Sequence, residues 1–125
     1  MATIKSFTSL WQSKKLAEIL PIESADMWWS RCTITDFGDG VLKVSYAVEP
    51  CNISQFRNTK EDVPCWSLAS LLSVLPKMVN HETLFIETSA ALWHIGYRNV
   101  YTARADNLVD ACYSMIIKLR ELKLL

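Results

Sequence analysis

The chain has 125 residues, half of them hydrophobic and 21% charged, and its thirteen acidic and thirteen basic side chains leave a formal net charge of zero. That length can bury a sizeable core as one domain, here residues 1–125, without disulfide or metal staples, and the composition is far from that of disordered chains. Balanced charge excludes a long-range field steering the protein to nucleic acid or an anionic membrane, although a local basic patch remains compatible with it.

The segment Met1 to Phe7 lacks the apolar run and small-residue cleavage site of a secretory signal, and no apolar run reaches the roughly eighteen residues of a spanning helix. A cytoplasmic protein without membrane contact is expected. The four cysteines, Cys32, Cys51, Cys65 and Cys112, form no CxxC pair. In a reducing compartment they read as small buried hydrophobes, and the sequon at Asn52 carries no weight there.

Ser9-Leu10-Trp11-Gln12 has the S-x-x-Q form of a capping box, and Leu16, Ala17, Ile19 and Leu20 follow at helical spacing until Pro21. A first helix is predicted over Leu10 to Leu20, with Lys14 and Lys15 on its solvated side. From Met27 to Phe37 strand formers dominate, Gly38-Asp39-Gly40 supplies a turn, and Val41 to Val48 is again strand-like. In that second arm Leu42, Val44, Tyr46 and Val48 share a face opposite Lys43 and Ser45, so one side is expected to be covered and one wet. Glu49-Pro50 ends the arm, and residues 49–62 read as the longest loop.

Pro64 suits the first position of a helix, and Leu68, Leu71, Leu72 and Leu75 recur at helical spacing before Pro76. A second helix over Pro64 to Leu75, apolar nearly all round, is expected to be the most buried. Thr83 to Thr88 and Leu92 to Tyr97 read as a hairpin around Ser89-Ala90-Ala91, with Val100 to Ala105 as an optional further strand. From Asp106 to Leu125 the apolar positions Leu108, Cys112, Met115, Ile116, Leu119 and Leu122 mark one side of an amphipathic helix. Asp106 or Asn107 caps it, with Asp110 at the end where the helix dipole favours negative charge.

The element order is α-β-β-α-β-β-(β)-α, an α+β fold with an antiparallel sheet of four to five strands and three helices. Laying Pro21 on Pro76 brings Trp11 onto Trp66, Leu16 onto Leu71 and Leu20 onto Leu75, an offset of 55 residues. A duplicated helix–hairpin unit would produce this match, and so would any two short amphipathic helices that end at proline.

The strings Gln12 to Pro21, Pro64 to Ala69 and Asn107 to Tyr113 resemble those of small proteins carried by phages and mobile elements of gut anaerobes. The resemblance covers about a third of the chain and excludes the hairpin from Trp28 to Val48. It implies a genomic setting; that group has no assigned activity, so it implies no catalytic residue.

Cys65 would lie in the first turn of the second helix, where a thiol is activated, but a nucleophile needs a base, and nothing in the spacing gathers His81 or His94 with it. The same two histidines lack the i, i+4 spacing of a helical zinc site, and three glycines form no phosphate-binding loop. Neither a cofactor nor a metal is expected, and catalytic residues are none. Tyr97, Arg98, Tyr101 and Arg104 interleave aromatic and basic side chains in the manner that stacks on bases and neutralises phosphates. Among the five tryptophans, Trp28 and Trp29 are adjacent on a strand and must face opposite sides. Either a partner buries one of them, making the pair a protein interface, or a helix or the long loop covers it within the chain. The leading expectation is a small non-enzymatic interaction or regulatory protein that binds an unidentified protein partner or self-associates. The runner-up is a nucleic-acid-associated accessory protein that uses Arg98, Arg104 and the neighbouring tyrosines.

Overall fold

The computed structural model describes residues 5–35, 42–50 and 62–125. The class is α+β; among the described residues every strand pairing is antiparallel, and the strands divide between two sheets of three and four. Chain contacts gather into two compact units, Ser9–Trp66 and Met1–Thr8 with Ser67–Leu125.

In the Ser9–Trp66 unit, helix α1 spans Leu10–Ala17. Its capping box is closed in both directions: the Gln12 N–H donates to Ser9 Oγ at 3.2 Å and the Ser9 N–H donates to Gln12 Oε1 at 3.0 Å. The helix stops sooner than the apolar spacing suggests, because Ile19 and Leu20 both donate back to the Leu16 carbonyl and tighten the last turn. Gln12, Ser13 and Leu16 form its buried face, and Lys14 and Lys15 are exposed. Strands β1 (Met27–Thr35) and β2 (Leu42–Pro50) make the expected hairpin, and β3 (Val63–Cys65) lies on the other side of β1, giving the order β2-β1-β3. Glu49 and Pro50, expected to begin the loop over residues 49–62, instead continue β2 opposite Trp28 and Met27. The proposed turn at Gly38-Asp39-Gly40, the alternation of side chains between Leu42 and Tyr46 and residues 51–61 of that loop lie outside the described residues.

The boundary of the second helix is a correction. Pro64 does not open a helix; it sits in β3 opposite Trp28. The fixed φ of proline fits both roles, and on an edge strand its missing N–H costs no ladder bond. The helix, α2, spans Leu68–Val74 and is capped by Ser67, whose Oγ accepts from the Ser70 N–H at 3.2 Å. Nor is it the most buried helix. Ser70 and Leu71 are buried while Ala69 and Ser73, one turn apart, are exposed, and Ser73 turns its hydroxyl back onto the Ala69 carbonyl. The two units thus each contain a serine-capped helix and a hairpin, but the caps Ser9 and Ser67 are not related by the 55-residue offset that the prolines suggest.

In the second unit the sheet order follows the chain: β4 (Met78–Val79), β5 (Glu82–Ser89), β6 (Leu92–Tyr97) and β7 (Tyr101–Ala105). Helix α3, Leu108–Glu121, packs on β7, β6 and α2, and its Val109, Ala111, Cys112, Met115, Ile116 and Leu119 are buried. Val109 and Ala111 replace Leu108 and Leu122 in the expected stripe; Leu122 is exposed at the C-cap. Asn107 caps the N-terminus, its side chain accepting from the Asp110 N–H at 2.8 Å. Asp110 in turn takes an ion pair from Lys5 at 2.6 Å, which, with the Leu68 N–H on the Ser6 carbonyl, fastens the N-terminal segment to this unit. Lys123 adopts a φ of 59° so that the Leu124 N–H reaches the Leu119 carbonyl, the closure that ends the helix.

Two hairpins of this sheet turn through two residues with positive φ, Asn80-His81 and Ala90-Ala91. That backbone matches the twist of the strands, but for alanine it is unfavourable by roughly 1 kcal/mol per residue. Ala90→Asn with Ala91→Gly is therefore expected to raise stability by about 1–2 kcal/mol, measured as a shift of the urea midpoint at constant slope. An unchanged or lowered midpoint would contradict the left-handed turn.

Candidate protein interface

Cross-strand register assigns each side chain of the four-stranded sheet to a face. Leu84, Ile86 and Thr88 on β5 pair with Tyr97, Ile95 and Trp93 on β6, and the last two pair onward with Ala103 and Ala105 on β7. Ile95, Tyr97 and Ala103 on this face are buried, so it is the one α3 covers. The other face carries Phe85, Glu87, His94, Thr102 and Arg104.

This assignment separates the aromatic and basic residues of the 97–104 stretch. Tyr97 is fully buried and its hydroxyl donates to the Pro76 carbonyl. Burial pushes that phenol up to about 12, so it stays protonated, and its ring is shielded from any nucleic acid. Tyr101 lies on the face of Ala103, with the Lys118 ammonium of α3 5.3 Å from its ring centroid. Arg104 points the opposite way, level with His94 and Glu87. Arg98, in the β6–β7 turn, holds its guanidinium 5.7 Å from the centroid of Phe85, which is on the same face as Arg104. The two arginines therefore share a face and the two tyrosines do not join them, because alternation along a strand sends neighbours to opposite sides.

Trp28 and Trp29 sit side by side on β1, both half-buried. The Trp29 indole N–H donates to Ser13 Oγ of α1 at 3.1 Å, which ties the polar edge of that ring to the helix within its own unit. The most exposed tryptophans are Trp11 on α1, 69% exposed, and Trp93 on β6, 37% exposed.

Cys65 is in strand β3 and fully buried, so the helix-end environment that would activate its thiol is missing. Burial also pushes the Cys112 thiol up to about 12, which keeps it in the protonated, unreactive form. His81 is in the β4–β5 turn and His94 is on β6, both in the other unit from Cys65. Among the described residues no three His, Cys, Asp or Glu side chains gather as a metal ion would require, and no helix is long and apolar enough to cross a membrane.

What sequence reasoning missed is the outer end of the β5–β6 hairpin. Ile86, 41% exposed, and Trp93, 37% exposed, are diagonal neighbours on the face that α3 covers elsewhere, in the half of the hairpin nearer the Ala90-Ala91 turn. Alongside them runs an open edge. The Leu84 N–H donates to the Lys77 carbonyl, so in β5 the even-numbered residues turn their backbone groups away from β6. Strand β4 ends there, and the N–H and C=O groups of Ile86 and Thr88 meet no further strand among the described residues.

No protein-family model, curated protein or solved structure matches the chain.

Proposed function

We propose that the protein is a small non-enzymatic interaction or regulatory domain of the cytosol, in the mobile-element setting that the sequence resemblance implies, and that it meets its partner through the β5–β6 hairpin. The observation that carries this reading is the pairing of exposed Ile86 and Trp93 with an open strand edge. Aromatic and branched apolar side chains are the usual anchors of protein interfaces, and an unpaired edge supplies directional hydrogen bonds beside them. The test compares wild type with Ile86→Ser/Trp93→Ser in affinity capture from the native host's extract, followed by mass spectrometry. Proteins retained by the wild type and lost from the variant at unchanged melting temperature support the reading; identical sets from both overturn it.

The second reading, nucleic-acid association, draws on Arg98 and Arg104 sharing a face with Phe85 and His94. Glu87 in the same cross-strand row and the zero net charge weigh against it. Labelled single-stranded RNA and DNA at low salt, titrated with wild type and with Arg98→Ala/Arg104→Ala, decide the matter: binding that the double variant abolishes supports this reading, and no binding removes it.

A further inference from the structure

We infer that the open edge of β5 takes up an extended strand from another protein, one whose side chains alternate apolar and basic. This rests on the interaction reading above and specifies its partner. The edge offers the outward N–H and C=O groups of Ile86 and Thr88, the donor and acceptor pattern that an added strand completes. On one side of that edge stands the exposed Ile86, which an incoming apolar side chain would cover, with Trp93 one strand further in on the same face. On the other stands Glu87, exposed and without an ion pair among the described residues. Because side chains of an added strand alternate at the same period as those of β5, apolar residues on the Ile86 side place the intervening residues beside Glu87, where a lysine or arginine is favoured.

A second copy of the chain is the obvious rival. The free part of β5 begins after Leu84, which already bonds Lys77, and ends at the Ala90-Ala91 turn. Two antiparallel copies fit that window best with Ile86 opposite Thr88 of the other copy, and this register sets Glu87 directly against the same glutamate of the partner copy. Like charges directly opposite are destabilising, so the charge on the strand selects a basic partner over its own kind.

The residue parity yields a sharp test. A proline at 86 removes an outward N–H while leaving the β5–β6 ladder intact, as edge strands tolerate. The probe is a fluorescein-labelled Thr-Lys-Val-Lys-Val-Lys-Thr peptide with blocked ends, compared with the same peptide carrying Glu for Lys, both read by fluorescence anisotropy against the full chain. The basic peptide is expected to bind at least about tenfold tighter than the acidic one, and Glu87→Lys is expected to reverse that preference. Ile86→Pro is expected to weaken binding at least about tenfold, and methylating alternate amide nitrogens of the peptide to do the same without altering the protein. Equal binding of the two peptides, no binding of either, or indifference to both the proline and the methylated amides overturns the proposal. Dimerisation of the protein alone through this edge, abolished by Ile86→Pro, overturns it in favour of a second copy. Should the Ile86→Ser/Trp93→Ser variant lose its captured partner while Ile86→Pro keeps it, strand addition falls and the interaction reading stands.

Discussion

Replacing Gly96 by alanine is expected to destabilise the second unit by ~3 kcal/mol or more, among the largest effects of any single added methyl group. The residue sits in β6 opposite Thr102, and a Cβ there would lie 2.2 Å from the Tyr101 carbonyl oxygen and 2.7 Å from the Thr102 Cα. Both are backbone atoms of the neighbouring strand, so no side-chain rotation relieves the overlap; β6 and β7 must separate. Their separation would disturb the pairings of Ile95 with Ala103 and Tyr97 with Tyr101, on which the buried face of the sheet depends. Urea unfolding followed by circular dichroism measures the loss. A change under about 1 kcal/mol would show that the strands do not approach as closely as described.

Trp66→Ala is expected to cost ~4 kcal/mol, from the transfer of a large aromatic side chain out of a closed site and the cavity left behind. Trp66 is fully buried, and its indole N–H donates at 2.9 Å to Ser24 Oγ, whose own hydrogen goes to the Pro21 carbonyl at 2.6 Å. The chain of two hydrogen bonds fixes the short 3-10 turn Ile22–Ser24 against the end of β3. Ser24→Ala strands the indole N–H without this acceptor and is smaller in effect, about 1–3 kcal/mol. Since whole domains are stable by only some 5–15 kcal/mol, the tryptophan change removes a large part of the total. Thermal and urea unfolding of the two variants side by side check the order: Ser24→Ala costing as much as Trp66→Ala would contradict an apolar role for the ring.

Features encoded within a few neighbouring residues were legible from the chain. The reciprocal bonds of Ser9 and Gln12 need no partner outside the first turn of α1, and the Asn107 cap with Asp110 behind it is equally local. The hairpin around Ala90-Ala91 was legible because runs of strand formers flank so short a connection that only antiparallel pairing can follow. Where one residue fits two backbones the sequence stayed silent. Pro64 satisfies a helix start and an edge strand alike, and only pairing with β1 places it in the strand. Strands of two or three residues, such as Met78–Val79 and Val63–Cys65, are too short to show any period.

The interface was the least legible part, for a physical reason. Alternation along one strand puts Trp93 and Ile95 on the same side, but the β5–β6 register that brings Ile86 to that face, and how far a helix reaches across it, belong to the tertiary structure. Ile95 is fully buried while Trp93, two residues earlier on the same face, is 37% exposed, although α3 packs on both β7 and β6. In the same way the chain displayed Tyr97, Arg98, Tyr101 and Arg104 as one string, and only the register of β6 with β7 sent the phenols and the guanidiniums to different sides. Local chemistry, acting over three or four residues, determined the caps, the turns and the α+β class. Long-range pairing and the limited reach of one helix decided which apolar residues remained in water.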